Sequence, residues 1–445
     1  MKHIALPIPM SVFTLPVLLS ALLVPAQATS LWPLPQSVVF SPSARPLPLD
    51  FSFTTSSTSP ALLAAFSRTL ATMRVAVPPV LPFDGPLTGA LLSVQVTLAS
   101  DDEILAFNVS EAYSLDVSGA AGKLEADTLY GALRGLETLS QLAEYVPASG
   151  SVIVRAARIV DAPRFPHRGA LVDTSRHFIP VGTLLAFVDA MAYNKLNVMH
   201  WHLTDDSSFP WQSVNFPALA GRGAWGGLPS HTYSPEAVQQ VIAYARARGV
   251  RVMPEFDTPG HTTSWGLGQP NFTTPCFFPN GSLSGTGPVN PTLDSTFAFL
   301  AALYAEVAAT FPDSYMHIGG DEVSFACWAS NPSINAWMAA NGIAPGDYAG
   351  LESYYVQKNL QLVAAAGKRA VGWQELFDNH LKLAAGTVVN VWKYHNSPST
   401  SPPPKPGGPT WQSEMANVTA AGFLTLLSSP WYLNVVTYGA ADIWQ

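Results

Sequence analysis

The sharpest chemistry in the chain lies in His317-Ile-Gly-Gly-Asp-Glu-Val323. Gly319 and Gly320 carry no side chains, so the backbone can turn tightly there or let a ligand come close. Asp321 and Glu322 follow at once. Two carboxyls sharing a pocket titrate apart, and the one that keeps its proton can act as a general acid. Neighbours on a strand point to opposite faces, which is awkward for an acid and a nucleophile that must flank one glycosidic bond. A substrate that supplies its own nucleophile removes that difficulty. A structural Asp-Glu pair at a helix N-cap is the plainer alternative.

Other side chains could serve the same pocket. Arg176, in Asp173-Thr-Ser-Arg176, offers a fork of donors for sugar hydroxyls, with Asp205 placed to orient it. Trp373 and Trp392 offer flat apolar faces for a pyranose ring, although any one of the 12 Trp is more often core. His200-Trp-His202 and His261 raise a rival, metal-assisted hydrolysis on a barrel. The adjacency of Asp205 and Asp206, and the lack of a carboxylate-rich set around His261, weaken it. No metal is expected, and His200 and His202 read as packing or supporting residues.

These residues need a scaffold, and the pattern from Arg164 onward supplies one. Apolar segments at Gly169–Asp173, Asn197–Leu203, Val250–Glu255, Ser314–Ile318, Ala370–Trp373, Thr387–Trp392 and Gly422–Leu427 read as strands. Helical stretches such as Val181–Tyr193, Pro235–Arg248 and Thr296–Thr310 lie between them. Alternating strands and helices predict βα units around a parallel sheet, of the (β/α)8-barrel kind, whose sites gather at the C-terminal ends of the strands. Polar and aromatic residues follow nearly every apolar run, from Asp173-Thr-Ser-Arg176 to Pro430-Trp-Tyr432. Before this region, residues 29–163 predict a small α+β support domain. Strands are expected at Leu92–Leu98 and Tyr113–Val117, helices at Ala61–Val75 and Ala126–Tyr145, and a linker at Asp161-Ala-Pro163.

Composition narrows the setting. Charged residues are 12% and apolar ones 48% of 445 residues, with 39 Pro, which suits a compact extracellular protein. A formal charge of −8 with no basic stripe argues against nucleic acid as a partner. Residues 1–28 read as a secretory leader: Lys2 and His3, an apolar Val12–Val24 stretch broken by Pro16, and Ala26-Gln27-Ala28 for cleavage. No membrane span is expected after cleavage. Asn108, Asn271, Asn280 and Asn417 each open a glycosylation sequon. Cys276 and Cys327 are the only cysteines, which an oxidising compartment invites to pair; two buried thiols remain the alternative.

Taken together, Asp173-Thr-Ser-Arg-His-Phe178, Met191–Asp206, Pro254-Glu-Phe-Asp-Thr-Pro-Gly-His261, His317–Glu322, Gly372-Trp-Gln-Glu375 and Ser429-Pro-Trp-Tyr-Leu433 resemble glycoside hydrolase family 20, over residues 31–445. The likeness is greatest to lysosomal-type and secreted eukaryotic β-N-acetylhexosaminidases. The resemblance implies an N-terminal α+β domain, a TIM-type barrel (residues 164–445), no cofactor, and release of terminal β-linked N-acetylglucosamine or N-acetylgalactosamine with retention. Family-20 enzymes are exceptions to the two-carboxylate scheme, using the 2-acetamido oxygen to form an oxazolinium. By motif, Glu322 would be the proton donor, Asp321 would orient the acetamido group, and Tyr432 would donate to its oxygen. Arg176, Asp205, His261 and Asn434 would bind or couple to the sugar, and Trp373 and Trp392 would enclose the acetamido methyl. The resemblance also implies a Cys276–Cys327 disulfide, a chitobiose-type or N-glycan substrate, a possible homodimer, and a secreted, lysosomal or vacuolar location.

Two departures from the family pattern carry expectations. Position 434 is Asn where some relatives have Asp, and position 435 is Val where relatives that accept anionic sugars have a basic residue; neutral substrates are therefore expected. The last barrel strand, with its Gly-Gly-Glu-Ala motif, does not follow the seventh in these 445 residues. An unclosed barrel exposes strand edges. The second reading is accordingly a catalytically weak, carbohydrate-binding remnant.

Overall fold

The computed structural model describes residues 31–75, 83–393, 410–429 and 431–432. The leader, Asn434 and Val435 lie outside the described residues. The first sheet is built from β1 (Ser37–Pro46), β2 (Ser52–Thr55), β3 (Ser93–Leu98), β4 (Tyr113–Asp116), β5 (Ala121–Ala126), β6 (Ala143–Val146) and β7 (Ser151–Asp161). Its order is β1-β7-β4-β5-β3-β2, with β6 also paired to β7. Alternation decides which face is covered: Val94 and Val96 of β3 are buried while the alternate residues Gln95 and Thr97 are exposed. The covering helices are Pro60–Met73, capped by Ser59 onto the Leu62 N–H, and Leu129–Gln141, capped by Thr128 onto the Tyr130 and Gly131 N–H groups. Leu62, Leu124, Leu129, Leu136 and Leu139 are among the residues closing that core.

The second sheet is wholly parallel. Its strands are β8 (Gly169–Asp173), β9 (Val198–Thr204), β10 (Arg251–Phe256), β13 (Tyr315–His317), β14 (Arg369–Trp373), β15 (Val388–Val391) and β16 (Leu424–Leu427). An antiparallel hairpin, β11 (Thr273–Phe277) and β12 (Leu283–Val289), is inserted after β10. The order β8-β9-β10-β13-β14-β15-β16 follows the chain, as successive βα units require. Every residue of β9 and β10 is buried, because helices cover one face and packed strand-end side chains fill the other. The helix Val181–Tyr193 shows how the cover is written: Leu184, Val188 and Met191 recur at helical spacing and are the residues it buries. All seven expected strands and the three expected helices of this region form, with ends moved by a residue or two. Among the described residues no helix is long and apolar enough to cross a membrane.

The two sheets meet at the N-terminal ends of the barrel strands, through buried charge. Glu111 takes Arg134 Nε and Arg168 Nη2, each at 2.6 Å, on one oxygen and Asn197 Nδ2 at 2.7 Å on the other. Nearby, Lys195 Nζ reaches Thr138 Oγ1 at 2.7 Å, Tyr113 Oη at 3.0 Å and Asp161 Oδ2 at 3.3 Å. Asp161, read from the sequence as linker, thus ends β7 and braces the junction. Burial pulls the Glu111 carboxyl up, but Arg134 and Arg168 outweigh it and hold it below its ordinary value.

At the other end of the barrel, Cys276 on the hairpin is bonded to Cys327 on the helix Phe325–Ser330, with Cα atoms 4.8 Å apart. The Trp328 indole N–H donates to Val289 O at 3.1 Å and Asn331 Nδ2 to Pro275 O at 2.8 Å. The hairpin therefore fastens the segment that directly follows Glu322. Asn108, Asn271, Asn280 and Asn417 are all exposed.

Glu111→Gln strands two buried guanidinium groups, so it is expected to lower unfolding stability by about 3–5 kcal/mol. Since the folded value of Glu111 lies below the ordinary 4.5, its contribution is whole above that pH and is lost on acidification. Urea titrations of both proteins at neutral pH and near pH 3.5 should show a gap that narrows at the lower pH. Equal midpoints at neutral pH would count against the brace.

Candidate active site

The site residues stand at or beyond the C-terminal ends of the seven described strands. Arg176 follows β8, Asp205 follows β9, Asp257 and His261 follow β10, Asp321 and Glu322 follow β13, Gln374 and Glu375 follow β14, and Trp392 follows β15. Tyr432 stands five residues beyond β16. One rim thus collects side chains that are up to about 250 residues apart in sequence.

The difficulty raised by adjacent carboxylates is resolved by the backbone. Asp321 and Glu322 are not on a strand and do not cap a helix; they lie in the turn between β13 and the helix Phe325–Ser330, whose cap position is Ser324. Gly319, Gly320 and Glu322 have φ of +70°, +98° and +51°. Two glycines take such values freely, whereas Glu322 does so against its Cβ. The result is that Asp321 Oδ2 and Glu322 Oε2 both lie 3.6 Å from His261 Nε2. The Asp321 side chain is 15% exposed and that of Glu322 60% exposed, so the outer carboxylate is the one open to solvent.

Gly319 is demanded for a second reason: a Cβ there would overlap Asp257 Oδ1. That oxygen accepts the Gly320 N–H at 3.1 Å, tying the turn down from below. Burial first, then the neighbouring Asp321, push the Asp257 carboxyl well above the usual range.

His261 links the two ends of the site. Its Nδ1 lies 3.3 Å from Asp205 Oδ1. Burial disfavours the imidazolium, but contacts with Asp205 and Asp321 and the field of Asp257 outweigh it and raise His261 to about 12. Asp205 Oδ2 in turn takes Arg176 Nη2 at 2.7 Å and His202 Nε2 at 2.9 Å. Burial would raise Asp205, yet His202 and His261 hold it well below the carboxylate range. Arg176 Nη1 also meets Asp173 Oδ2 at 2.8 Å, so both ends of its fork are held.

Under this rim lies a buried polar cluster. Glu255 is fully buried and is approached by His200 Nε2 at 2.7 Å, His202 Nδ1 at 2.8 Å and His317 Nδ1 at 3.1 Å, and it accepts the Trp373 indole N–H at 3.0 Å. Burial opposes its charge, but His202, His317 and His200 prevail and hold it well below the usual value. His202, between Glu255 and Asp205, is pushed well above the imidazole range despite burial. His200 goes the other way, lowered to about 4 chiefly by burial.

Four sets of His and carboxylate groups lie close enough to hold a metal ion: His200–Glu255–His317, His202–Asp205–Asp257, Asp205–Asp206–His261 and Asp257–His261–Asp321. In the second the imidazole of His202, and in the last two that of His261, is raised by its carboxylate neighbours, so a metal there would have to displace a proton. In the first, no side chain is more than 7% exposed. The sequence reading that His261 lacks a carboxylate-rich neighbourhood is corrected here. Asp205, Asp206, Asp321 and Glu322 all approach it within 4.0 Å, because they converge from two other strand ends.

The aromatic wall is in part where the sequence puts it. Trp373 and Trp392 meet edge to face at 6.2 Å, and Trp392 meets Tyr432 at 6.1 Å. Trp373 is only 4% exposed and packs on His317 and His200. Burial, then Glu255, Asp321 and Glu375, raise the Tyr432 hydroxyl above its ordinary value, so it remains a donor. Glu255, Asp257 and Glu375 were legible as polar strand endings, but sequence reasoning gave them no part in the site.

Comparisons with known proteins agree with this architecture. The family described as "Glycosyl hydrolase family 20, catalytic domain" matches residues 165–441, and a "beta-acetyl hexosaminidase like" family matches residues 31–142. The chain belongs to glycosyl hydrolase family 20, and its parallel sheet is a TIM-type barrel sheet of which seven strands are described. It is 47% identical to beta-hexosaminidase subunit beta of Homo sapiens over 349 residues, 78% of this chain and 60% of that protein. It is likewise 47% identical to beta-hexosaminidase subunit alpha of Rattus norvegicus over 356 residues, 80% of this chain and 64% of that protein. The chitobiase of Flavobacterium johnsoniae superposes with a TM-score of 0.74 at 26% identity, covering 91% of this chain and 59% of that one. The chain therefore spans about three fifths of the length of these curated relatives.

Gly319→Ala forces both a left-handed alanine and an overlap with Asp257, together worth roughly 2–5 kcal/mol. Thermal unfolding of the variant should show a clearly lower midpoint. An unchanged midpoint would mean that the turn relaxes without cost.

Proposed function

We propose that this chain is an exo-acting β-N-acetylhexosaminidase that removes terminal β-linked N-acetylglucosamine or N-acetylgalactosamine by a retaining, substrate-assisted mechanism. The observation that carries the reading is the convergence of Asp321 and Glu322 on one imidazolium, from a left-handed turn at the end of β13. Arg176, held by Asp173 and Asp205, grips the outer hydroxyls of the terminal sugar. Asp321, the more buried carboxylate, orients the acetamido N–H and balances the positive charge that develops as the acetamido oxygen attacks the anomeric carbon. Tyr432 donates to that oxygen. Glu322, the exposed carboxyl, gives its proton to the glycosidic oxygen as the bond breaks. It then takes a proton from the water that opens the oxazolinium, which restores the acetamido group with retained configuration.

His261, charged at working pH, joins the sugar-gripping end to the carboxylate pair and holds both in register. Trp373 and Trp392 form the apolar wall around the acetamido methyl. The four exposed sequons and the disulfide support a route through the secretory pathway.

The test is release of 4-nitrophenol from the β-N-acetylglucosaminide by chain 29–445, with and without a thiazoline that mimics the cyclic intermediate. Glu322→Gln is expected to cut kcat about 10²- to 10⁴-fold on substrates with poor leaving groups, and less on the nitrophenyl glycoside. Asp321→Asn should cost about 10²- to 10³-fold on both. Wild-type kinetics in either variant would sink the assignment, and a folded but inactive chain that binds the thiazoline would favour the carbohydrate-binding reading. A 6-sulfated substrate, lacking a basic partner at position 435, is expected to be turned over at least about tenfold less efficiently than its neutral counterpart. Comparable kcat/KM values would overturn that preference.

A further inference from the structure

Trp392 stands just past the end of β15, and its backbone is held by one buried side chain. Gln374 Oε1 accepts the N–H groups of Trp392 and Lys393 at 3.0 and 2.8 Å. Its Nε2 donates to Asp378 Oδ2 at 3.1 Å. An amide has one accepting and one donating end, so the carboxylate of Asp378 decides that the oxygen faces Trp392. Lys393 Nζ completes the hold, 2.8 Å from Glu375 Oε1 and 3.6 Å from Asp378 Oδ2.

A helix with no other part in the site closes this group from outside. It runs Trp411–Ala420, opens on a Thr410–Ser413 capping box, and joins Val418 to Val389 and Val391 of β15 in one apolar cluster. Glu414 in its first turn is 5% exposed and meets the Asp378 carboxyl. Its Oε1 has no hydrogen-bond partner among the described residues. Carboxyl groups here outnumber the cation that faces them. Lys393 is already shared between Glu375 and Asp378, and Glu352, from the helix Tyr348–Ala365, adds a further carboxyl beside Glu375. A charged Glu414 would be left buried against a like charge, whereas a neutral one can donate to Asp378. Burial first, then Asp378, opposed by Lys393, raise Glu414 to about 7.

Resting on the reading of Trp392 above, we propose that Asp378 is a positioning residue for Trp392. It works through Gln374 and Lys393, and only while Glu414 keeps a proton that it shares with Asp378. When that proton passes to solvent, two carboxylates face each other and part. Asp378 is then drawn off Gln374 and Lys393, and Trp392 loses the support behind its backbone. The apolar wall around the acetamido methyl loosens, so activity carries an alkaline limit set by a helix that never touches the sugar.

The experiment measures kcat/KM on the 4-nitrophenyl β-N-acetylglucosaminide between pH 5 and 8.5, as the ratio of variant to wild type, so that titrations common to both cancel. Glu414→Gln gives Asp378 a donor that no base removes. Its ratio is expected to lie within about twofold of one at pH 5. By pH 8.5 it should rise about tenfold, because roughly one wild-type chain in thirty then keeps the proton. A ratio that does not change with pH overturns the proposal. Asp378→Ala leaves Gln374 Nε2 without its acceptor and should lose about tenfold at pH 5, whereas Asp378→Asn keeps an acceptor and should lose less than about threefold. Equal losses in the two overturn the positioning role. Should the wild type turn over no substrate at any pH, the enzymatic reading fails on its own, and thermal unfolding decides the carboxyl pair. Since the folded value of Glu414 lies above the ordinary 4.5, the wild type loses stability as the pH rises from there through about 7. The midpoint of Glu414→Gln should gain on it between pH 5 and 8, and a constant difference overturns the pair.

Discussion

The arrangement of the rim depends on one constraint, that charge taken out of water must meet opposite charge within hydrogen-bond reach. A lone buried carboxylate or imidazolium costs several kcal/mol, and removing one member of a buried pair strands the other. Glu255, His202, Asp205 and Arg176 meet that constraint by alternating in sign, with His261 branching from Asp205 toward Asp321 and Glu322. Each link fixes the rotamer of the next, so the positions of Arg176 and of the two carboxylates are not independent. The protonation pattern is set by the same geometry. His202 stays charged because it lies between two carboxylates, whereas His200, with one carboxylate to share among three rings, stays neutral.

The opposite end of the barrel answers the same constraint for a different purpose. Glu111 gathers Arg134 from the first sheet's helix and Arg168 and Asn197 from the entrances of β8 and β9. Lys195 does the converse, reaching out of the barrel to Tyr113, Thr138 and Asp161. These contacts fix the starts of strands whose ends carry Arg176 and Asp205. The first sheet thereby holds part of the site in place without contributing a side chain to it, which agrees with the absence of any chemical motif before Asp161 in the sequence.

The parts of this structure that were legible in the sequence are those written in local periodicity. Val181–Tyr193 shows its buried stripe, and β9 and β10 show largely apolar runs, interrupted by His200 and His202 in β9 and ending in polar residues, so the barrel units could be read off to within a residue or two. β1, β2, β5, β6, β7 and the β11–β12 hairpin were not anticipated, and the helix expected over Ala126–Tyr145 ends at Gln141, where β6 takes over. β1 is irregular in burial and its partner β7 lies far away in sequence, Ser37 pairing with Val160, whereas β6 and the β11–β12 hairpin pair locally but are short or carry no clean alternation. The rim showed the same division. Its member residues could be named from strand endings, but the carboxylate surround of His261 could not, because it is made by loops from three strands. Nor could the mutual direction of Asp321 and Glu322, since two glycines and one strained residue decide it.

That strained residue shows how the levels connect. A left-handed Glu322 costs of the order of 1–3 kcal/mol, and such a conformation persists only where its surroundings over-determine it. Several contacts supply that determination. The Gly320 N–H is anchored on Asp257, and Gly319 O accepts the Trp373 N–H at 2.9 Å, so the turn is tied to strands on both sides. The following helix is held to the hairpin by the Cys276–Cys327 disulfide and by Trp328. Without the left-handed step, extended backbone would send the second carboxylate to the far side of the strand, away from His261. The disulfide, the buried Asp257 and the two glycines are therefore best understood as one device, whose product is a pair of adjacent carboxylates facing the same way.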